Sequence, residues 1–227
     1  MKRDVISSAI GIVVLTLLCG IVYPLVVTGV SQVAFPGNAN GQKVYVNGKL
    51  VGSKIIGQAF ETQPVKNGKP ETTKTGGPVL FPDPRYFQSR PSATGEPYVS
   101  GSGPDNAAAT TFSNLGPNSV LTEQDLAANI QAYISLNGRY YPGGLTAAKV
   151  PVDAADTSAS GIDPDISVAN ADIQAYRIAA VRNMPLSHVR ALISRYTHGR
   201  GLGFAGEPGV NVLELNLALD GDTKAIS

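Results

Sequence analysis

Three stretches of this sequence carry residue types at spacings that could do chemistry. Gly201-Leu202-Gly203-Phe204-Ala205-Gly206 has the G-x-G-x-x-G spacing that lets a backbone approach a pyrophosphate. Thr73-Lys74-Thr75-Gly76-Gly77 is close to D-K-T-G-T, in which an aspartate takes up a phosphoryl group. His188 and His198 are the two imidazoles available for metal binding or proton transfer.

The elements that would have to position these residues decide against each. A dinucleotide fingerprint works between a strand and a helix whose N-terminus receives the phosphates. Here the glycines follow a predicted helix, and Glu207-Pro208-Gly209 interrupts the place of the receiving helix, so the stretch reads as a glycine-rich turn. Thr73 lacks the carboxylate that would carry phosphate, and it lies in a Thr-, Lys-, Gly- and Pro-rich loop. The histidines fall on or just beyond one predicted helix in different phases, and read as surface residues. No G-x-x-x-x-G-K-[ST] loop, nucleophile elbow or frame of paired carboxylates occurs. The chain presents no catalytic constellation and no metal site of its own.

Charge distribution then sorts the chain. Its 227 residues are 43% hydrophobic and 15% charged, with a formal net charge of +1. Lys2, Arg3 and Asp4 account for that +1, so the remainder is formally neutral and has no electrostatic footprint for nucleic acid. From Val5 to Gln42 there is no Asp, Glu, Lys, Arg or His. A bilayer core about 30 Å thick needs roughly 20 apolar residues in a helix, and this run supplies more. The basic residues before it favour a cytoplasmic N-terminus.

The expected layout is a cytoplasmic tip at 1–4, a transmembrane helix at 5–33 and a compact extracytoplasmic α+β domain at 34–227. The apolar run is longer than a cleaved signal's. A lipoprotein signal at Cys19 would want a small residue before it, where Leu18 stands. Cys19 is the chain's one cysteine, so the domain can form no internal disulfide. Thr16, Gly20, Pro24 and Thr28 recur every four residues, a small-residue row that lets another helix approach in lipid. The same residues are common in any membrane helix. Pro24 removes a backbone donor and predicts a kink.

In the domain, Asn47-Gly48 between Gln42–Val46 and Leu50–Ile56 predicts a β-hairpin. Residues 62–84 read as an exposed loop or insertion, and Arg85 to Pro117 as ordered loop. Thr122-Glu123-Gln124-Asp125 predicts the start of a helix stopped by Gly138. Ser167 caps a second, and a third runs from about Leu186 to before Gly199. Residues 212–219 alternate like a strand, but Asn211 and Glu214 form an N-cap pair that favours a helix.

Several stretches, read in order, carry a resemblance. They are Tyr23-Pro24-Leu25-Val26-Val27-Thr28-Gly29, Gln88-Ser89-Arg90-Pro91-Ser92-Ala93, Ser113-Asn114-Leu115-Gly116-Pro117, and Thr157-Ser158-Ala159-Ser160-Gly161-Ile162-Asp163-Pro164. Arg177, Val181-Arg182, Val189-Arg190-Ala191-Leu192-Ile193 and the run Val210 to Asp220 continue it. Together they resemble the C subunit of the Kdp high-affinity potassium-transporting ATPase. Thr110-Thr111-Phe112 departs from that family's usual Ser-Gly-Gly run, and Asp165 from its common His.

The resemblance implies a non-catalytic accessory subunit of an ATP-driven potassium import pump. Its partners would be a phosphorylated P-type ATPase subunit and a channel-like potassium-binding subunit, with ATP and potassium as ligands of the complex. It also implies promotion of ATP binding by the catalytic subunit. ATP is cytoplasmic and the charge bias puts this domain outside, so that effect would travel through the membrane helix. Arg90, Ser92, Ser113 and Asn114 are the candidate partner-contacting or loop-ordering positions. Ser and Asn beside Gly and Pro also stabilise turns by themselves. The competing reading is a stand-alone, membrane-anchored hydrolase or binding module.

Overall fold

The computed structural model describes residues 2–66, 68–72, 79–92, 114–201 and 203–221. The chain divides into two compact units, Met1–Lys43 and Val44–Ser227.

In the first unit, α1 (Lys2–Leu17), a π-helical stretch (Leu18–Val22) and α2 (Tyr23–Ala34) make one continuous helix. Its 33 residues span roughly 50 Å at the usual helical rise, enough to cross a membrane with tilt. None of them is buried within the chain itself. Pro24 cannot donate to the carbonyl four residues back, and the backbone answers with a wider turn just before it. The Tyr23 N–H reaches the Leu18 carbonyl five residues back. Pro24 itself sits in the first turn of α2, where a missing donor is tolerated.

Past Phe35 the chain turns into α3 (Pro36–Ala39), held by side-chain amides. Asn40 donates to Gln32 Oε1 (3.1 Å) and to the Pro36 carbonyl (2.7 Å), and Gln42 donates to Asn38 Oδ1 (2.8 Å).

The second unit begins with the hairpin β1 (Lys43–Val46) and β2 (Lys49–Ser53). Asn47 (φ 50°) and Gly48 (φ 79°) both take the left-handed conformation that the two-residue turn demands. The hairpin's inner residue Val44 packs on Leu213 and Leu217.

The described residues between 61 and 82 include two short strand pairs. β3 (Glu61–Thr62) pairs antiparallel with β6 (Phe81–Pro82), and within that arm β4 (Val65–Lys66) pairs with β5 (Lys69–Pro70). Strands of two residues are too short to alternate, so no periodic signal marks them.

α4 (Val120–Asn137) starts two residues before the expected Thr122. The preceding turn, closed by Ser119 N–H on the Gly116 carbonyl, opens the helix, and the Thr122 hydroxyl turns back to the same carbonyl. Gly138 does end α4, though with ordinary helical φ. A Cβ there would lie 2.6 Å from the Ile134 carbonyl oxygen. A 3-10 turn (Ala147–Lys149) and the short α5 (Val152–Ala155) follow.

β7 (Asp165–Ser167) leads into α6 (Val168–Arg182), whose N-cap Ser167 accepts from the Asn170 N–H at 3.1 Å. Asn183, left-handed at φ 52°, closes α6, and α7 (Leu186–Arg195) returns beside it. β8 (Thr197–His198) and β9 (Gly209–Asn211) complete a three-stranded sheet in the order β7-β9-β8, all antiparallel. α8 (Val212–Leu219) is the expected helix rather than a strand: Asn211 Oδ1 accepts from the Glu214 N–H at 3.1 Å.

The main core joins α6, α7, α8 and the sheet through fully buried Ile166, Ile178, Val189, Val210 and Leu215. A second cluster under α4 centres on Tyr133, Leu145 and Ile173. The body is thus a mixed helix-and-strand fold compatible with the α+β class.

Candidate functional site

The membrane-helix row is affected directly by the π turn. Four residues of ideal α-helix overshoot a full turn by roughly 40°, so Thr16 and Thr28 would drift roughly 120° apart. A π turn takes in about one extra residue and returns roughly 100° of that drift. Thr16, Gly20, Pro24 and Thr28 are thereby brought nearer one line. Among the described residues, nothing beyond the helix's own adjacent backbone lies within 4 Å of the place of a Gly20 Cβ.

In the domain, residues 83–86 form a turn closed by the Tyr86 N–H on the Asp83 carbonyl at 3.1 Å, and the segment that follows to residue 92 is held by side chains acting as neighbouring strands. Gln174 on α6 accepts the Gln88 N–H at 2.8 Å and donates to the Gln88 carbonyl at 3.0 Å. Asn216 on α8 does the same for Phe87, at 2.8 and 3.0 Å. Arg177, fully buried on α6, donates to the carbonyls of Pro84 (2.6 Å) and Tyr86 (2.9 Å) and to Asn137 and Gln174. Asn170, Gln174 and Arg177 share one stripe at helical spacing. Asn170 continues the network to Asp153 (3.0 Å) and Tyr133 (2.8 Å).

This buried polar network was not singled out from the sequence. The available signal was polar side chains spaced four and three apart, interleaved with Ala171, Ala175 and Ala179, which are buried in the main core.

Arg90 and Ser92 stand at the end of this segment. Arg90 Nη1 lies 3.0 Å from Asp163 Oδ2, and the Ser92 hydroxyl donates to the Gly161 carbonyl at 2.6 Å. The Ser158 N–H donates to the Pro91 carbonyl at 3.0 Å, so residues 90–92 and 158–163 are laced together. Gly57 reaches the same loop, donating to the Ile162 carbonyl at 2.8 Å. Asn114 is exposed and left-handed (φ 47°), a conformation asparagine tolerates. The structure does not bring it to Arg90 through any described contact. Ser113, and the Thr73–Gly77 stretch, lie outside the described residues.

Two buried side-chain atoms among the described residues lack a hydrogen-bond partner, Gln88 Oε1 and Arg90 Nε. The described residues contain no group of three or more His, Cys, Asp or Glu arranged to hold a metal ion. Gly201 pairs with Ala205 in a tight turn with left-handed Gly203 and Gly206. The chain then enters β9 at Gly209 rather than a helix. His188 is exposed on α7. His198 lies on β8, with Nε2 3.5 Å from Asp165 Oδ2.

Charges cluster at two places. Burial raises the Asp165 carboxyl, and the His198 attraction that opposes it is outdone with help from Asp163 and Glu214. At Asp83 burial also pushes up, but bonds and charge from Arg85 together hold the carboxyl below its usual range. Tyr86 donates to Asp220 at 2.9 Å, and burial and that carboxylate raise its hydroxyl. Arg182 packs over the Tyr86 ring and donates to the same Asp220 at 2.9 Å. The C-terminal end of α8 is thereby tied to the 83–92 segment.

Comparisons with known proteins bear on this arrangement as a whole. The family model described as KdpC, the c chain of the K+-transporting ATPase, matches residues 5–221. The potassium-transporting ATPase KdpC subunit of Koribacter versatilis (strain Ellin345) is 42% identical over 226 residues, 97% of this chain and 96% of that protein. The same subunit of Methylococcus capsulatus is 43% identical, covering 92% of this chain and 93% of its own length. That of Streptomyces coelicolor is 42% identical, at 92% and 88%.

Proposed function

From the premise that the chain belongs to the KdpC family, the c chain of the K+-transporting ATPase, we propose that it serves this potassium pump as an assembly and coupling subunit. One observation carries the reading: the likeness runs from residue 5 to residue 221 and so takes in the apolar helix and the domain together. A module working alone would need the helix only as a tether.

The helix packs against a partner's helix along the Thr16, Gly20, Pro24 and Thr28 row. Small side chains permit the close approach that drives association in lipid. The N-terminus lies in the cytoplasm, as the positive flank favours, and the domain faces the periplasm or exterior. The domain sits over the potassium entrance of the channel-like subunit. Its influence on ATP binding by the P-type subunit passes through the membrane helix. Arg90, Ser92 and Asn114 order the loops that meet a partner, and the lacing of 90–92 to 158–163 supports that role for the first two.

Copurification in mild detergent tests this. The account expects the catalytic and channel-like subunits to be recovered with the tagged full-length chain. Recovery of the chain alone, with potassium uptake unchanged by its deletion, overturns it in favour of an independent module.

A further inference from the structure

One surface of the domain carries a row of cations and rings, whose Tyr141 also packs on the second core cluster. Lys149, closing the 3-10 turn, holds its ammonium 5.3 Å from the centre of the Tyr141 ring. Tyr141 meets Tyr176 of α6 edge to face, with centroids 5.4 Å apart and planes at 75°. Arg190 of α7 lies 5.2 Å from the Tyr176 centroid and donates from Nη2 to the Tyr176 hydroxyl at 3.0 Å. Asp172, the acid beside this row, is 3.5 Å from Arg190 Nε, and both side chains are about half exposed.

Four side chains from four parts of the fold follow one another in contact as cation, ring, ring, cation. Stability is a poor reason for the two cations, since an exposed cation–π contact is worth about 0.5–1 kcal/mol and an exposed ion pair no more. The chain beyond residue 4 is formally neutral, so two cations against one loosely held acid make this row a local positive excess. Tyr and Arg are also the residue types concentrated at the energetic centres of protein interfaces. Arg190 is steered by its bond to Tyr176, and a planar guanidinium fixed this way is prepared for a carboxylate.

We propose that the Lys149–Tyr141–Tyr176–Arg190 row docks a carboxylate-bearing segment of a partner subunit. The proposal rests on the subunit reading above and adds the surface and the charge of what it meets. The lacing of residues 90–92 lies on other loops, and either contact can exist without the other.

The test uses the whole pump with the full-length chain carrying benzoylphenylalanine in place of Ser187, which is exposed on α7 one turn before Arg190. Irradiation is expected to join the chain to an Asp- or Glu-containing peptide of a partner, located by mass spectrometry. Lys149→Glu with Arg190→Glu is expected to cut that product about tenfold or more, the loss typical of an interface hot spot. Lys149→Glu alone, which breaks no described hydrogen bond, should cut it by a smaller factor if the double variant melts early. A wild-type chain that copurifies yet crosslinks only to phospholipid overturns the proposal in favour of a headgroup site. Undiminished crosslinking of a folded double variant overturns it as well. Failure of the wild-type chain to copurify overturns the subunit reading beneath it.

Discussion

The side-chain amide of Gln174 pairs with the main chain of Gln88 as a neighbouring strand would, accepting at 2.8 Å and donating at 3.0 Å. Both residues are fully buried, so neither the Gln88 N–H nor its carbonyl has water to fall back on. The Gln174→Leu chain keeps the volume and loses both bonds, together with those to Asn170 and Arg177. Each stranded group costs about 1–3 kcal/mol, so a loss of roughly 2–5 kcal/mol is expected in urea unfolding followed by circular dichroism. A change below about 0.5 kcal/mol would mean that this pairing contributes nothing to the fold.

Arg177 ties α6 to the same segment and to α4. Arg177→Met should cost about 3–5 kcal/mol, because it strips the donors from the Pro84 and Tyr86 carbonyls and from Asn137. Thermal melting of the purified chain reads this directly. Arg177→Lys should recover only part, since one ammonium cannot reach four acceptors in a fork.

What the sequence told, and what it withheld, follows from the range of the interactions. The Asn47-Gly48 turn, the Ser167 cap and the Asn211 cap are local chemistry, set by residues within three positions of each other, and they stand as read. The apolar run is legible for the same reason. The Gln88–Gln174 and Phe87–Asn216 pairings join residues 86 and 129 positions apart, and no local pattern announces them. Polar residues such as Gln174 and Arg177 also count against burial until their partners are known. Thr122 misled because a capping-box pattern competed with an earlier turn at Gly116–Ser119 that begins the helix first.

Two glycines should respond differently to alanine. At Gly57 a Cβ would lie 2.3 Å from the Asp163 carbonyl oxygen, which is main chain and cannot step aside without moving the loop that Arg90 and Ser92 hold. Gly57→Ala should therefore cost about 1–3 kcal/mol. At Gly209 the obstacle is the end of the His198 side chain, 2.9 Å away and half exposed, which can swing out. Gly209→Ala should cost clearly less than Gly57→Ala in the same melting assay. Equal losses would contradict the distinction between backbone and side-chain obstacles.

The two shifted aspartates give opposite pH dependences. Asp83 is held below its usual range, so its stabilising contribution is present above the unfolded carboxyl's pKa and lost as pH falls through the lowered folded value. Asp83→Asn should flatten the acid limb of the stability curve. Asp165 is raised, so its contribution is full below the unfolded pKa and lost as pH rises through the folded one. The advantage of Asp165→Asn over wild type should grow from low pH towards neutrality. Urea unfolding between about pH 3 and pH 7 separates the two slopes.

In the membrane helix, Gly20→Leu should weaken recovery of the complex by filling the space a neighbouring helix would occupy. The melting of the domain should be unchanged, because Gly20 lies in the helical unit and a Cβ there meets nothing within 4 Å among the described residues beyond its own helix. Unchanged recovery would count against the Thr16, Gly20, Pro24 and Thr28 row as a contact.

Potassium uptake from dilute medium is the most direct measure of the whole account. Cells lacking this chain but making the other pump subunits should lose high-affinity uptake and potassium-stimulated ATP hydrolysis, and the full-length chain supplied in trans should restore both. Uptake and hydrolysis that persist at wild-type level without the chain would contradict the proposed assembly and coupling role.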